Sequence, residues 1–285
     1  MRKIPALLLL VHLVGLPLTA QENAIRLLVR GDDMGMCRAV NEACIEAWQN
    51  GIMRSVELMV PVPWFLDAVF MLNENPGLDA GIHLTLTSEW SGLKWSPLTN
   101  AESIVDSNGF FFPMVWPNQN FPPKTSIYES DWKIDDIESE LRAQIEMGLK
   151  HLPRISHLST HMGFTGLDER IKLAVERLSR EYNLPVYHYD ESIKPFGGWK
   201  GAETLQQRID IFIENLRKLT PGTYLFIEHP GKDSPEMRAV RHPGYENVVE
   251  DREWVTRVFT SPEIIAAVEQ LGIELISYKD LIEHH

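Results

Sequence analysis

Ile25-Arg26-Leu27-Leu28-Val29-Arg30-Gly31-Asp32-Asp33-Met34-Gly35 decides how this 285-residue chain is read. The apolar run from Ile25 to Val29 reads as a strand, and it gives way at Gly31 to two adjacent acids. A strand ending in Asp32-Asp33 puts two carboxylates at the edge of a sheet, where neighbouring side chains point in different directions. One acid is then placed to hold a cation while the other stays free as a base. A second ligand role, or an N-cap for a helix starting near Met36, are the other duties open to Asp32.

Outward from this stretch, strand-like and helix-like segments alternate. Arg38 to Gln49 reads as a helix stopped by Asn50-Gly51. Met53 to Val60 is a second strand, Trp64 to Asn73 a helix, and Ala80 to Thr87 a third strand. A long helix runs from about Asp131 to His151, then a strand from Ile155 to Thr160 and a helix from Asp168 to Tyr182. Leu184 to Tyr189 reads as a fifth strand, Glu203 to Leu219 as a helix, and Tyr224 to Ile227 as a sixth strand. Ser261-Pro262 opens a helix that stops at Gly272, before a last strand from Ile273 to Ile276. About seven strands alternating with helices, without internal hairpins, predict an α/β fold with a parallel sheet, open or closed into a barrel. An aromatic-rich insertion at 88–130 breaks the rhythm. Its length points to a lid or binding loop, or to an aromatic mini-core packed beneath it.

The N-terminus carries Arg2-Lys3, an apolar run from Ile4 to Leu16 and small residues at Thr19-Ala20. That is the pattern of a signal peptide over 1–20, and it predicts an exported protein, periplasmic or extracellular. An uncleaved anchor is the alternative, and no integral membrane span is expected after the signal is removed. Residues 21–285 suit one domain. The net charge is −13 and no basic stripe is present. Nucleic acid is therefore not an expected partner, whereas a neutral or cationic small substrate is. If Cys37 and Cys44 share one helix, seven residues apart, they lie roughly 10 Å apart along its axis, too far for a disulfide.

Histidines mark three further strand ends. His83 lies in Gly81-Ile82-His83-Leu84-Thr85-Leu86, His157 and His161 in His157-Leu158-Ser159-Thr160-His161, and His229 in His229-Pro230-Gly231. Active sites of parallel barrels gather at the C-terminal strand ends. One carboxylate and two imidazoles make an open site for a divalent ion. On a straight strand His157 and His161 lie roughly 13 Å apart, so only one joins a shared ion. His161, nearer the strand end, is the better placed, and His157 is the alternative ligand or an outer partner.

These motifs, with Asp32-Asp33-Met34-Gly35, resemble in order those of the YdjC-like carbohydrate deacetylases (the ChbG/HpnK family). Asp251-Arg252-Glu253-Trp254 and the run Gly272 to Tyr278 also look like that family. The resemblance implies a distorted (β/α) barrel related to polysaccharide deacetylases. It implies removal of acetyl from N-acetylated sugars or short oligosaccharides with one divalent ion, magnesium or zinc. It assigns Asp33, His83 and His161 to the metal, Asp32 to the general base, and His229 to protonation of the leaving amine. Arg252 is a weaker candidate, for orienting substrate or a site carboxylate, and His242 in His242-Pro243-Gly244 is a second candidate acid. The chain departs from the family pattern with Met34 for phenylalanine, Arg30-Gly31 for asparagine-alanine, and Met162-Gly163 where further histidines are common. A metal-dependent sugar isomerase or phosphoester hydrolase, and a non-catalytic sugar-binding protein, are the competing readings. A homodimer is among the assemblies left open.

Overall fold

The computed structural model describes residues 24–187, 190 and 192–282. The expected signal peptide lies outside them. Among the described residues, no helix is long and apolar enough to cross a membrane.

Among the described residues, seven parallel strands form one sheet. They are β1 (Ile25–Met34), β2 (Ser55–Leu58), β3 (Asp79–Leu84), β4 (Leu158–Thr160), β5 (Ile193–Pro195), β6 (Gly222–Glu228) and β7 (Glu274–Ile276). The order is β4-β3-β2-β1-β6-β5, with β7 also paired to β1. One edge of β1 follows β6 from Ile25 to Gly31. The other is shared, β7 taking Arg26 to Leu28 and β2 joining from Arg30 onward. Val186 adds a single parallel bridge to Leu158 at the β4 edge. Val186 and Ile193, on opposite edges, are joined by a chain that spans at most about 25 Å when fully extended. Seven flat strands would separate those edges by about 29 Å. The sheet must therefore curl toward a barrel.

Helices cover the outside: α1 (Arg38–Gln49), α2 (Phe65–Glu74), α3 (Ile134–His151), α4 (Glu169–Tyr182), α5 (Leu205–Leu216), α6 (Val248–Phe259), α7 (Pro262–Gln270) and the short α8 (Tyr278–Ile282). Two expectations need correction. Of the predicted strand at Leu184 to Tyr189, the described part, residues 184–187, forms only the Val186 bridge, while 188–189 lie outside the described residues; the fifth strand is Ile193–Pro195. Helix α6 was not anticipated; Asn247 precedes it without a side-chain cap, so its start carries no clear mark. Cys37, the residue before α1, and Cys44 within it are free and buried.

Side-chain alternation sorts the strands into two faces. Leu27 and Val29, Val56 and Leu58, Ala80, Ile82 and Leu84, and Leu158 join the main apolar core. The residues between them, Arg30 and Asp32, Ser55 and Glu57, Asp79 and His83, His157 and Ser159, are polar and buried. The concave face is thus a polar interior. Gly81 belongs to it because the His157 ring leaves no room: a Cβ at Gly81 would lie 2.4 Å from His157 Nε2.

The insertion is largely a mini-core, with Trp90, Trp95 and Phe111 buried, while Trp116 and Tyr128 are exposed.

Candidate metal centre

The acid pair lies on a β-bulge. Gly31 faces Val56 and Met34 faces Leu58, so β1 spends one more residue than β2 over this stretch. Asp33 takes up the excess with φ 69°, in the left-handed region. Gly35 follows with φ 102°, and a Cβ there would meet the Met59 carbonyl at 2.9 Å. Its amide donates to Asn41 Oδ1 at 2.6 Å, which ties the turn to α1. The bulge removes the expected divergence of the two acids. Asp32 Oδ2 and Asp33 Oδ1 each lie 3.7 Å from His83 Nε2.

Asp33, His83 and His161 are brought together. His161 Nδ1 is 3.3 Å from Asp33 Oδ1 and 3.3 Å from His83 Nε2. All three ligand atoms lie within 4.8 Å of one another. Donors about 2.0–2.1 Å from a four-coordinate ion are about 3.3–3.4 Å apart, so the triangle has the size of a metal site. Asp33 Oδ1 is buried and accepts no hydrogen bond, an orphaned carboxylate oxygen at the centre of the cluster. The chain turns as β4 ends: Met162 has φ 53° and Gly163 φ 62° directly after His161. That bend follows His161, so His161 and not His157 reaches the acids.

Hydrogen bonds fix which nitrogen of each ring faces the cluster. Burial disfavours a charge on Glu57, but His157 and Arg30 outweigh it and lower its pKa, so Glu57 is an ionised acceptor. Ser159 donates its hydroxyl hydrogen to Glu57 Oε2. Ser159 Oγ, 2.7 Å from His83 Nδ1, must then accept from that nitrogen. His83 Nε2 keeps its lone pair, and it points at the acids. Burial, and then the neighbouring His161, push the His83 pKa well below the ordinary imidazole value, so the ring is neutral. On His161, Nε2 faces Glu89 Oε2 at 3.2 Å, leaving Nδ1 toward Asp33. Burial opposes a charge on His161, but Glu89 and Asp33 raise its pKa to about 10. Such carboxylate-backed imidazoles are typical of metal ligands. Both His157 nitrogens are occupied, Nε2 by Glu57 at 2.6 Å and Nδ1 by Ser156 at 2.7 Å. His157 is a support beneath the cluster.

Two guanidiniums hold the acids. Arg30 grips Asp32 with both prongs, Nε to Oδ1 at 2.7 Å and Nη2 to Oδ2 at 2.8 Å. Burial opposes its charge, but Asp32, Tyr278 and Glu57 raise the Arg30 pKa well above normal. Arg252 donates through Nη2 to Asp33 Oδ2 at 2.7 Å and lies 5.2 Å from the Trp90 ring. It is buried, and it orients Asp33 through a single contact. Burial would raise the Asp33 carboxyl, but Arg252 and His161 hold it well below the usual carboxylate range. The buried carboxylates of Asp32, Asp33, Glu57 and Glu89 face only these two buried guanidiniums. Four carboxylates against two guanidiniums leave the rest of the balance to the imidazoles, of which His161 is held charged beside Glu89 and Asp33; a cation in the triangle would take over that charge.

His229 stands at the mouth, its side chain 42% exposed and Nδ1 3.7 Å from Glu228 Oε2. Partial burial opposes its charge, yet Asp33 and Glu228 raise its pKa. His242 lies apart, stacked on Trp90 at 5.3 Å.

A family model described as YdjC-like protein matches residues 26–270. The chain belongs to that family. A carbohydrate deacetylase of Clostridium beijerinckii is 29% identical over 268 residues, covering 90% of this chain and 100% of its own. Carbohydrate deacetylase 1 of Listeria innocua is 26% identical over 268 residues, with 90% and 100% covered. A crystal structure of an Enterococcus faecalis protein provisionally described as a cellobiose-phosphate cleavage protein matches with a TM-score of 0.70. It is 22% identical and covers 90% of this chain and 99% of that one, which shows a shared fold.

Glu57, Ser159 and Glu89 support this YdjC-like site without having been singled out from the sequence, and Arg30, marked there only as a departure from the family pattern, is the clamp on Asp32. Ser55-Val56-Glu57-Leu58 carried a visible sign: strict alternation sends Glu57 to the face opposite Val56 and Leu58. Ser159→Ala should lower metal affinity about 10–100-fold, because His83 Nδ1–H loses its acceptor and the ring its fixed tautomer. Calorimetric metal titration checks this; unchanged affinity would mean that the Ser159 contact does not orient His83.

Proposed function

We propose that this chain is a metal-dependent hydrolase that removes the acetyl group from an N-acetylated sugar. The observation that carries the reading is an open three-ligand triangle with a second, separately held carboxylate beside it. Asp33, His83 and His161 would hold a divalent ion, which polarises an acetyl carbonyl and acidifies water. Asp32 is not one of the three ligands. Arg30 takes one lone pair from each of its oxygens and fixes its plane, leaving the side of Oδ2 toward His83 able to accept a proton from water. His229, at the mouth and with a raised pKa, is placed to return a proton to the departing nitrogen. Arg252 keeps Asp33 ionised and in position. The names of the relatives support a carbohydrate as the substrate. The basic start and apolar run before residue 21 support export.

Incubation with a panel of N-acetylated mono- and disaccharides should release free acetate and a primary amine in equal amounts. An isomerised sugar, inorganic phosphate, or tight binding without acetate would contradict the reading.

A further inference from the structure

We propose that a cleft next to the metal centre is the subsite for the neighbouring ring of an N-acetylated oligosaccharide, with Phe121 as its stacking platform. The inference rests on the deacetylase reading above. The cleft has a volume of about 680 Å³ and is lined by Glu89, Lys94, Asp106, Phe112 and Phe121, among others. Glu89 is the wall it shares with the metal centre, since the same carboxylate lies 3.2 Å from His161 Nε2. The cleft and the metal centre are therefore adjacent, on the two sides of Glu89.

The lining has the chemistry that pyranose rings require, an apolar face with donors and acceptors at its edge. Phe112 and Phe121 supply the faces. Lys94 supplies a donor, its ammonium anchored on the Ser88 carbonyl. Asp106 supplies an acceptor: its Oδ1 already holds the turn amides of Asn108 and Phe110, at 2.8 and 3.1 Å, while Oδ2 has only a long 3.4 Å contact to Asn108 Nδ2. Phe121 is braced from behind. Its ring lies 5.3 Å from His242, which stacks on Trp90 at 5.3 Å, which in turn lies 5.2 Å from the Arg252 guanidinium beside Asp33. The platform is thus tied by a ladder of rings to the residue that positions the metal carboxylate. A rigid platform loses little freedom when a ring settles on it.

The test compares an N-acetylated disaccharide with its N-acetylated monosaccharide on wild type, Phe121→Ala and Phe121→Tyr. Acetate release and equilibrium binding of the disaccharide are measured in parallel. Loss of stacking should lower disaccharide kcat/KM and affinity about tenfold in Phe121→Ala. The disaccharide-to-monosaccharide ratio of kcat/KM should fall with it, and Phe121→Tyr, which keeps the ring, should restore both. Equal losses on the two sugars, or unchanged disaccharide binding in Phe121→Ala, would overturn the subsite. Absence of acetate from every sugar, with disaccharide binding still dependent on Phe121, would reject the deacetylase reading and leave the subsite standing.

Discussion

Asp32→Asn leaves the metal bound and lowers turnover by about 10²–10⁴-fold, the range for loss of a positioned proton acceptor. The substitution is nearly isosteric and touches none of the three ligand atoms. Asparagine offers one oxygen where aspartate has two, so Arg30, which now holds both at 2.7 and 2.8 Å, keeps one partner and faces an amide with its other prong. The plane of the side chain is roughly preserved, while the basic lone pair facing His83 is lost or engaged by Arg30. Metal content and acetate release measured on the same preparation separate the two effects. Full activity in Asp32→Asn would place the base elsewhere; loss of metal would make Asp32 a ligand.

Asp33→Asn has the opposite signature. Asparagine is among the residues that tolerate the left-handed conformation, so φ 69° at this position does not exclude it. The ion, however, loses its only carboxylate, and its affinity should fall by more than the roughly 10–100-fold that follows loss of an outer hydrogen-bond partner. Arg252 loses the anion that compensates its burial, and breaking a buried pair costs up to about 3–5 kcal/mol. The variant should therefore bind little metal, turn over at background and melt earlier than wild type. Calorimetric metal titration and thermal unfolding check both halves. Metal binding equal to wild type would remove Asp33 from the centre.

Much of the scaffold was legible because its signals are local. Helix α1 has the bounds expected from its apolar spacing and the Asn50-Gly51 stop, and α7 starts where Ser261-Pro262 marks it. Strand β5 was missed because three residues, one half-buried and two exposed, ending in proline carry almost no pattern. The candidate ligands were legible as histidines and acids at strand ends. Their convergence was not. It depends on a one-residue bulge at Asp32-Asp33, whose presence shows only in the register of β1 against β2. Arg30 stood out as a departure from the family pattern, and its role as the clamp on Asp32 required the fold. Glu57, Ser159 and His157 act through a chain of hydrogen bonds across β2, β3 and β4, so their meaning depends on strand order.

Whether Asp33, His83 and His161 hold an ion without which the neighbouring Asp32 does no chemistry is decided on wild-type protein. Acetate release from an N-acetylated sugar is measured before chelation, after chelation and dialysis, and after stoichiometric return of zinc or magnesium. Activity should be lost on chelation and recovered at one ion per chain. Undiminished acetate release from protein shown to be free of metal would contradict it.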